Sequence, residues 1–342
     1  LVAPNDEFVY RPLATREAVG FGWTRRYQLW DIARDSGVEW VKDTLASVEP
    51  AERIVQTGQG HKLRYDGLLV AVGGRLAVDF DHVLTFRDAD AGRVYERVVE
   101  EVENGHARSV AFLVPDGPVY PLPVYELALM VAARARRAAV KGLELFIVTP
   151  EPRPLAAFGG SAGAVVGRLL MESGIKLFAS ASAFVPAARK LLVQPLGVEL
   201  APDRIVAIPR ITGPGIRGLP GDGPHGFIPI DARCGVPGTA GRVFAAGDAT
   251  AFPIKHGGVG AQQADIAAGA IARLAGAITK SEPFWPQIRG KLLTGDKPLY
   301  LSARLVGHEG FDSEVTDTPP WPVDDKIVAA ELGPYLAGLD DR

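Results

Sequence analysis

Gly241-Arg242-Val243-Phe244-Ala245-Ala246-Gly247-Asp248 is the stretch on which the fold turns. Val243, Phe244, Ala245 and Ala246 make a short apolar strand, which delivers a glycine and then a carboxylate at its carboxyl end. Ligands of open α/β sheets bind at that end of the strands. A residue without a side chain lets a phosphate-and-sugar chain touch the backbone. Asp248 can accept hydrogen bonds from the hydroxyls of such a chain or hold a local amide network. It can equally cap the helix that follows.

Downstream, a loop over 249–258 leads into a helix with Ala267, Ala270, Ile271 and Leu274 on one face. Upstream, the middle of the chain alternates strand and helix. Residues 110–114 read as a buried strand. Val124, Leu127, Ala128, Val131 and Ala132 then share a helical face. Arg136, Arg137 and Lys141 complement that helix's dipole, and Gly142 stops it. A second buried strand over 143–148, a helix over 163–173 and a third strand over 175–178 follow. That order means parallel strands with right-handed crossovers.

Ahead of this unit, 27–36 reads as a helix stopped by Gly37, and 38–41 as a short strand. Extended pieces over 45–48, 53–56 and 62–65 are separated by Pro50 and Gly58-Gln59-Gly60, which predicts an antiparallel meander. The apolar run 68–72 reads as a buried strand ending on Gly73-Gly74. From 185 to 241 the chain is rich in Pro and Gly, with short strands such as 204–208. Strands over 288–293 and 299–306 are expected to pair around Thr294-Gly295-Asp296, and 326–336 to form one more helix.

The length, 342 residues, is a little more than two domains' worth. A 47% hydrophobic and 23% charged composition supports a sizeable core and argues against wholesale disorder. A net charge of −3 leaves no global basic footprint for nucleic acid. With one cysteine, Cys234, an intrachain disulfide or a multi-thiolate metal site is excluded. Its Gly/Pro-rich loop suggests a structural or surface role. No apolar run reaches transmembrane length, and no secretory leader pattern opens the chain. The expected place is cytoplasmic, with peripheral contact at the inner face of the membrane as an option.

Tyr65-Asp66-Gly67-Leu68-Leu69-Val70-Ala71-Val72-Gly73-Gly74-Arg75 is a second landmark. With 241–248 it resembles the two-dinucleotide-binding-domain flavoproteins. There a Tyr-Asp-x-Leu-x-x-Ala-(Thr/Ser)-Gly strand precedes the crossing to the second domain. A Thr-x-x-x-(Ile/Val)-(Phe/Tyr)-Ala-(Ala/Ile)-Gly-Asp strand then returns to the FAD. Thr239 stands at the matching place, whereas Val72 replaces the usual hydroxyl residue. Asn5-x-x-Phe8-x-Tyr10-x-Pro12-Leu13 resembles the segment after the second strand in sulfide:quinone oxidoreductases and type II NADH dehydrogenases. The run from Phe252 to Asp265 resembles a bacterial subgroup of FAD-dependent oxidoreductases.

The resemblance implies an α/β fold of two Rossmann-like FAD/NAD(P)-binding domains plus a small C-terminal region. Residues 1–80 and 212–280 would form a discontinuous FAD-binding domain, 105–211 an NAD(P)-binding-like domain, and 281–342 an interface region. It implies FAD, with contacts expected at Arg11, Pro12, Ala71, Gly73, Gly247, Asp248, Lys255, Gly258 and Val259. It names no general acid or base. It also implies an opening strand, Gly-x-Gly-x-x-Gly and helix. None precedes Leu1, so a chain that begins inside a domain is expected.

Gly257, Gly258 and Gly260 are expected to leave amides bare at a helix N-terminus, a setting that favours the negative charge of reduced flavin. Lys255 would add to it if it points inward; otherwise it is solvated. His256 either takes part or caps the loop. In the middle domain, Pro115-Asp116-Gly117-Pro118-Val119-Tyr120-Pro121-Leu122-Pro123 stands where a glycine fingerprint would be, and prolines remove amide donors. The ribose-binding acid is displaced to Glu151. NAD(P)H is therefore weakly supported, and the lone cysteine argues against sulfur chemistry of the paired-cysteine kind. In the related families the C-terminal part, here with Trp285, Tyr300, Trp321 and the pairings Glu282-Pro283 and Trp285-Pro286, forms a quinone or homodimer surface; core packing is the other reading. The expected function is an FAD-dependent oxidoreductase passing electrons to a quinone or other acceptor. The alternatives are an NAD(P)H-dependent reductase and, if Leu1 is the true start, a flavin-free scaffold.

Overall fold

The computed structural model describes residues 1–87, 89–279, 283–306, 310–321, 326 and 330–340. The chain opens with β1 (Val2–Ala3), β2 (Glu7–Val9), α1 (Ala14–Ala18), β3 (Arg26–Gln28), α2 (Leu29–Asp35) and β4 (Val41–Lys42). β1 and β4 pair in parallel, Val2 with Val41 and Ala3 with Lys42. Val38 lies outside that register and is exposed, so the strand expected over 38–41 shrinks to its end. β5 (Leu45–Glu49), β6 (Ile54–Thr57) and β7 (Lys62–Arg64) form the antiparallel meander that the turn residues predict. β8 (Leu68–Val70) stops earlier than the apolar run, because Ala71 and Val72 pass the last cross-strand pair and face solvent.

β9 (Arg75–Ala77) and β10 (Leu84–Thr85) lead to α3 (Ala89–Glu103), then to β11 (Ser109–Leu113), α4 (Leu122–Arg137), β12 (Glu144–Val148), α5 (Gly159–Glu172) and β13 (Ile175–Phe178). β14 (Ser182–Ala187), β15 (Lys190–Gln194) and β16 (Val198–Leu200) form an antiparallel sheet, and β17 (Arg204–Ala207) returns to the main one. The main sheet is parallel throughout, in the order β10-β17-β11-β12-β13. The sequence showed β17 only as a short strand in a Pro/Gly-rich stretch. Its place between β10 and β11 buries Ile205, Val206 and Ala207. α5 starts at Gly159 rather than 163. Glycines are poor helix formers, and a side chain from far along the chain holds this start: Ser313 Oγ accepts the Ala162 N–H at 3.2 Å.

α4 is buried nearly all round, and Leu127, Met130 and Val131 lie at the centre of the largest apolar cluster. β18 (Arg210–Thr212) pairs with β9, and β19 (Val243–Ala245) runs parallel to β8. α6 (Gly257–Leu274) packs Ala267 and Ala270 against Phe244 of β19. β20 (Gln287–Leu292), β21 (Leu299–Val306) and β22 (Gly310–Thr316) form an antiparallel sheet with the expected 294–296 turn. Ile288, Leu292 and Leu301 join the cluster around α4. Tyr300 and Trp321 are buried with ring centroids 5.5 Å apart, whereas Trp285 is 69% exposed. Glu282 of the expected Glu282-Pro283 pairing lies outside the described residues. α7 (Leu332–Asp340) begins later than the helix expected from 326, part of which is also outside them. Among the described residues no helix is long and apolar enough to cross a membrane.

The Pro/Gly-rich stretch earns its glycines by close approach to the meander. The Val48 N–H donates to the Arg217 carbonyl at 2.9 Å. Beside it Gly218 has φ +89°, and a Cβ there would sit 1.7 Å from the Val48 carbonyl oxygen. Gly218→Ala is expected to cost roughly 3 kcal/mol, through a left-handed backbone and a backbone clash together. Urea unfolding measures this, and an unchanged midpoint would refute it.

Candidate functional site

Two glycine turns meet at one end of a two-stranded ladder. β8 and β19 pair Leu68 with Val243, Leu69 with Phe244 and Val70 with Ala245. The Ala246 N–H then donates to the Val70 carbonyl at 3.1 Å. Gly73-Gly74 and Gly247-Asp248 therefore leave the sheet side by side, at the strands' carboxyl ends. A Cβ on Gly74 would lie 3.3 Å from the Asp248 carbonyl oxygen. Gly247 has φ +76°, and a Cβ on Gly260 would come within 2.9 Å of its Cα, so the first turn of α6 rests directly on it. Gly73 has φ +72° with nothing within 4 Å of where a Cβ would stand. The result is a bare backbone cradle, closed below by α6 and open above Gly73.

The charged residues around this cradle differ in part from expectation. Asp248 does not cap α6. It sits in a single 3-10 turn, and burial raises its carboxyl above the usual range, with Lys255 partly opposing. Lys255 is not solvated: it is 3% exposed, its ammonium donates to the Thr250 carbonyl and lies 3.6 Å above the Phe227 ring. Burial pushes it down to about 8, against the pull of Asp248.

His256 is the N-cap of α6. Its Nδ1 accepts from the Gly258 N–H at 3.0 Å and the Val259 N–H at 3.3 Å. The proton therefore sits on Nε2, on the side that bonds the Arg289 backbone, and burial pushes the ring down to about 4. The amides of Gly258 and Val259 are consequently not bare. What the helix offers a ligand is its dipole and the Gly257 end.

Gln263 adds a polar group that the sequence reading missed. It lies in the buried stripe Val259, Gln263, Ala267, Ala270, and an amide in such a stripe was a readable signal. Its Oε1 accepts the Gly247 N–H at 2.8 Å, while its Nε2 is buried with no partner. A buried unpaired donor costs free energy. Tyr120 was missed too. Its ring meets His256 edge-on at 5.1 Å, and its hydroxyl is held well above the usual phenol range by burial, with Glu126 and Asp248 adding.

Gly73, Gly247, Asp248, Lys255, Gly258 and Val259 are thus brought together, and Ala71 stands exposed just beyond β8. Arg11 and Pro12 are not joined to the cradle by any hydrogen bond among the described residues. They form a 3-10 turn whose Pro12 carbonyl accepts from Lys326 at 2.8 Å. Lys326 also pairs with Glu126 at 2.6 and 2.8 Å, and Glu126 accepts from Thr15 Oγ1 and the Leu293 N–H. Cys234 is fully buried, and burial, with Asp231 adding, pushes its thiol up to about 12, so it is an inert packing residue.

No protein-family model matches this sequence, and no curated protein does. Its architecture nevertheless has solved counterparts. The sulfide:quinone oxidoreductase of Aquifex aeolicus matches with a TM-score of 0.80 at 17% identity, over 93% of this chain and 80% of that one. The ferredoxin reductase for the CYP199A2 system of Rhodopseudomonas palustris matches with a TM-score of 0.66 at 18% identity, over 90% of this chain and 76% of that one. Reduced CoADR-RHD of Bacillus anthracis matches with a TM-score of 0.64 at 12% identity, over 89% and 56%. The chain shares its α/β fold with the two solved oxidoreductases named first.

Proposed function

We propose that the protein is an FAD-dependent oxidoreductase that passes electrons through flavin to a quinone or another acceptor. The observation that carries this is the convergence of the 73–74 and 247–248 turns on one cradle at the carboxyl ends of adjacent parallel strands. The residues present fit the group. Gly73 and Gly247 give backbone access, and Asp248 offers a carboxylate to sugar hydroxyls. Gln263 holds an unpaired donor beside Gly247. Lys255 and the α6 dipole supply positive potential. A bound flavin would supply reversible two-electron chemistry at its N5. The protein's part is electrostatic: Lys255, buried and near Asp248, is charged below about pH 8 and loses its proton above it. That charge would favour the anionic reduced cofactor. Ala71, Arg11 and Pro12 remain proposed contacts.

The test is the absorbance of the purified full-length protein. Flavin bands at about one equivalent are expected, and Gly247→Val is expected to lower retained flavin at least about tenfold. The valine must adopt a positive φ, at about 1–3 kcal/mol, and fills the cradle. A colourless full-length preparation that takes up no added FAD would overturn the proposal.

A further inference from the structure

We infer that the crevice at the carboxyl ends of β11 and β12 is sealed by the protein's own side chains and takes no nicotinamide nucleotide, so that electrons enter from a donor of another class. The binding statement stands on the crevice alone; the statement about the donor rests on the proposed function.

A dinucleotide in such a crevice needs a pyrophosphate seat on first-turn amides of the helix and a free carboxylate after the second strand. The first is reduced to the Leu122 amide, and the second is occupied. Pro121 is the N-cap of α4, and Leu122, Pro123 and Val124 open the helix. Pro123 has no N–H, and the Val124 N–H donates to the Pro121 carbonyl at 3.0 Å. Leu122 is buried. The loop above is pinned from outside. The Ile211 N–H donates to the Pro118 carbonyl at 2.8 Å, and Ser182 Oγ donates to Asp116 at 2.9 Å. A Cβ on Gly117 would meet Arg210 at 3.0 Å, and Arg210 is itself fixed by Asp79.

The carboxylate is spent. Glu151 Oε2 accepts from the Tyr125 hydroxyl at 2.7 Å and from Thr149 Oγ1 at 3.1 Å, and Oε1 accepts the Ala156 N–H at 3.0 Å. Tyr125 is fully buried, and its side chain spans from the first turn of α4 to Glu151, across the gap where a ribose would lie. A ribose would have to displace three donors and a buried ring. The open cleft lined by Glu103, Arg108, Lys141 and Leu143 lies at the other end, before β11 and β12 begin.

Calorimetric titration of the holoprotein with NADH, NADPH and ADP-ribose, in excess FAD to keep the first site filled, tests this. No saturable binding tighter than about 1 mM is expected. Saturable binding of any of the three below that limit would overturn it. The readout needs no electron transfer. Failure of the FAD reading shows instead as a colourless protein, and the two failures are distinguishable.

Discussion

Lys326→Met is expected to destabilise the protein by about 3–5 kcal/mol, the cost of leaving a buried charge without its partner. Lys326 and Glu126 have side chains 6% and 1% exposed, and the ammonium reaches both carboxylate oxygens. Burial pulls the Lys326 ammonium below the usual lysine range, with Glu126 opposing. The substitution leaves Glu126 in place with, among the described residues, only Thr15 Oγ1 and the Leu293 N–H as donors. Glu126→Gln should cost a comparable amount, by stranding the ammonium instead. The double variant Lys326→Met/Glu126→Leu should fall closer to wild type than the sum of the two single costs, because apolar groups often replace a buried pair at little net cost. Chemical denaturation of the four proteins measures this. Single variants within about 1 kcal/mol of wild type would show that the pair is not buried in solution.

The consequence reaches the proposed cofactor site. Lys326 also holds the Pro12 carbonyl, so one side chain ties the C-terminal segment, α4 and the Arg11-Pro12 turn together. Loss of it should loosen that turn as well as the core.

The apolar runs of β11 and β12, and the small residues that let α6 close on β19, announce themselves locally. That is why the parallel unit and the Gly247-Asp248 turn could be read from the chain. Burial of charge could not be. Lys255 looks the same in sequence whether solvated or lodged over Phe227. Glu126 reads as one polar position on an apolar helix until Lys326, 200 residues on, supplies its partner. β17 was legible as a short strand but its place in the main sheet was not, because its stabilising neighbours, β10 and β11, come from earlier in the chain. The bare helix N-terminus expected at 257–260 was wrong in detail for a similar reason. The histidine before it accepts two of those amides at Nδ1 and is held on its other side by the Arg289 backbone of β20, a contact from far along the chain.

The same contact makes His256 the residue with the clearest pH signature. Its Nδ1 accepts two amides and its Nε2–H faces the Arg289 carbonyl, so a second proton on the ring would break the cap. Above pH 6.5 the ring is neutral in folded and unfolded chains alike and contributes nothing to pH dependence. Between 6.5 and about 4 the unfolded chain binds a proton that the folded one refuses. Stability should therefore fall by about 1.4 kcal/mol per pH unit, about 3 kcal/mol in all, and level off below 4. Asp248 and Glu151 work the other way. Burial raises both, so their folded forms gain protons first and acid favours folding there. The comparison that isolates His256 is with His256→Asn, whose side-chain oxygen can still accept the Gly258 and Val259 amides. The unfolding free energy of wild type minus that of the variant should drop by about 3 kcal/mol between pH 7 and pH 4. Parallel curves would mean that the ring takes its proton in the folded state, which the buried cap forbids.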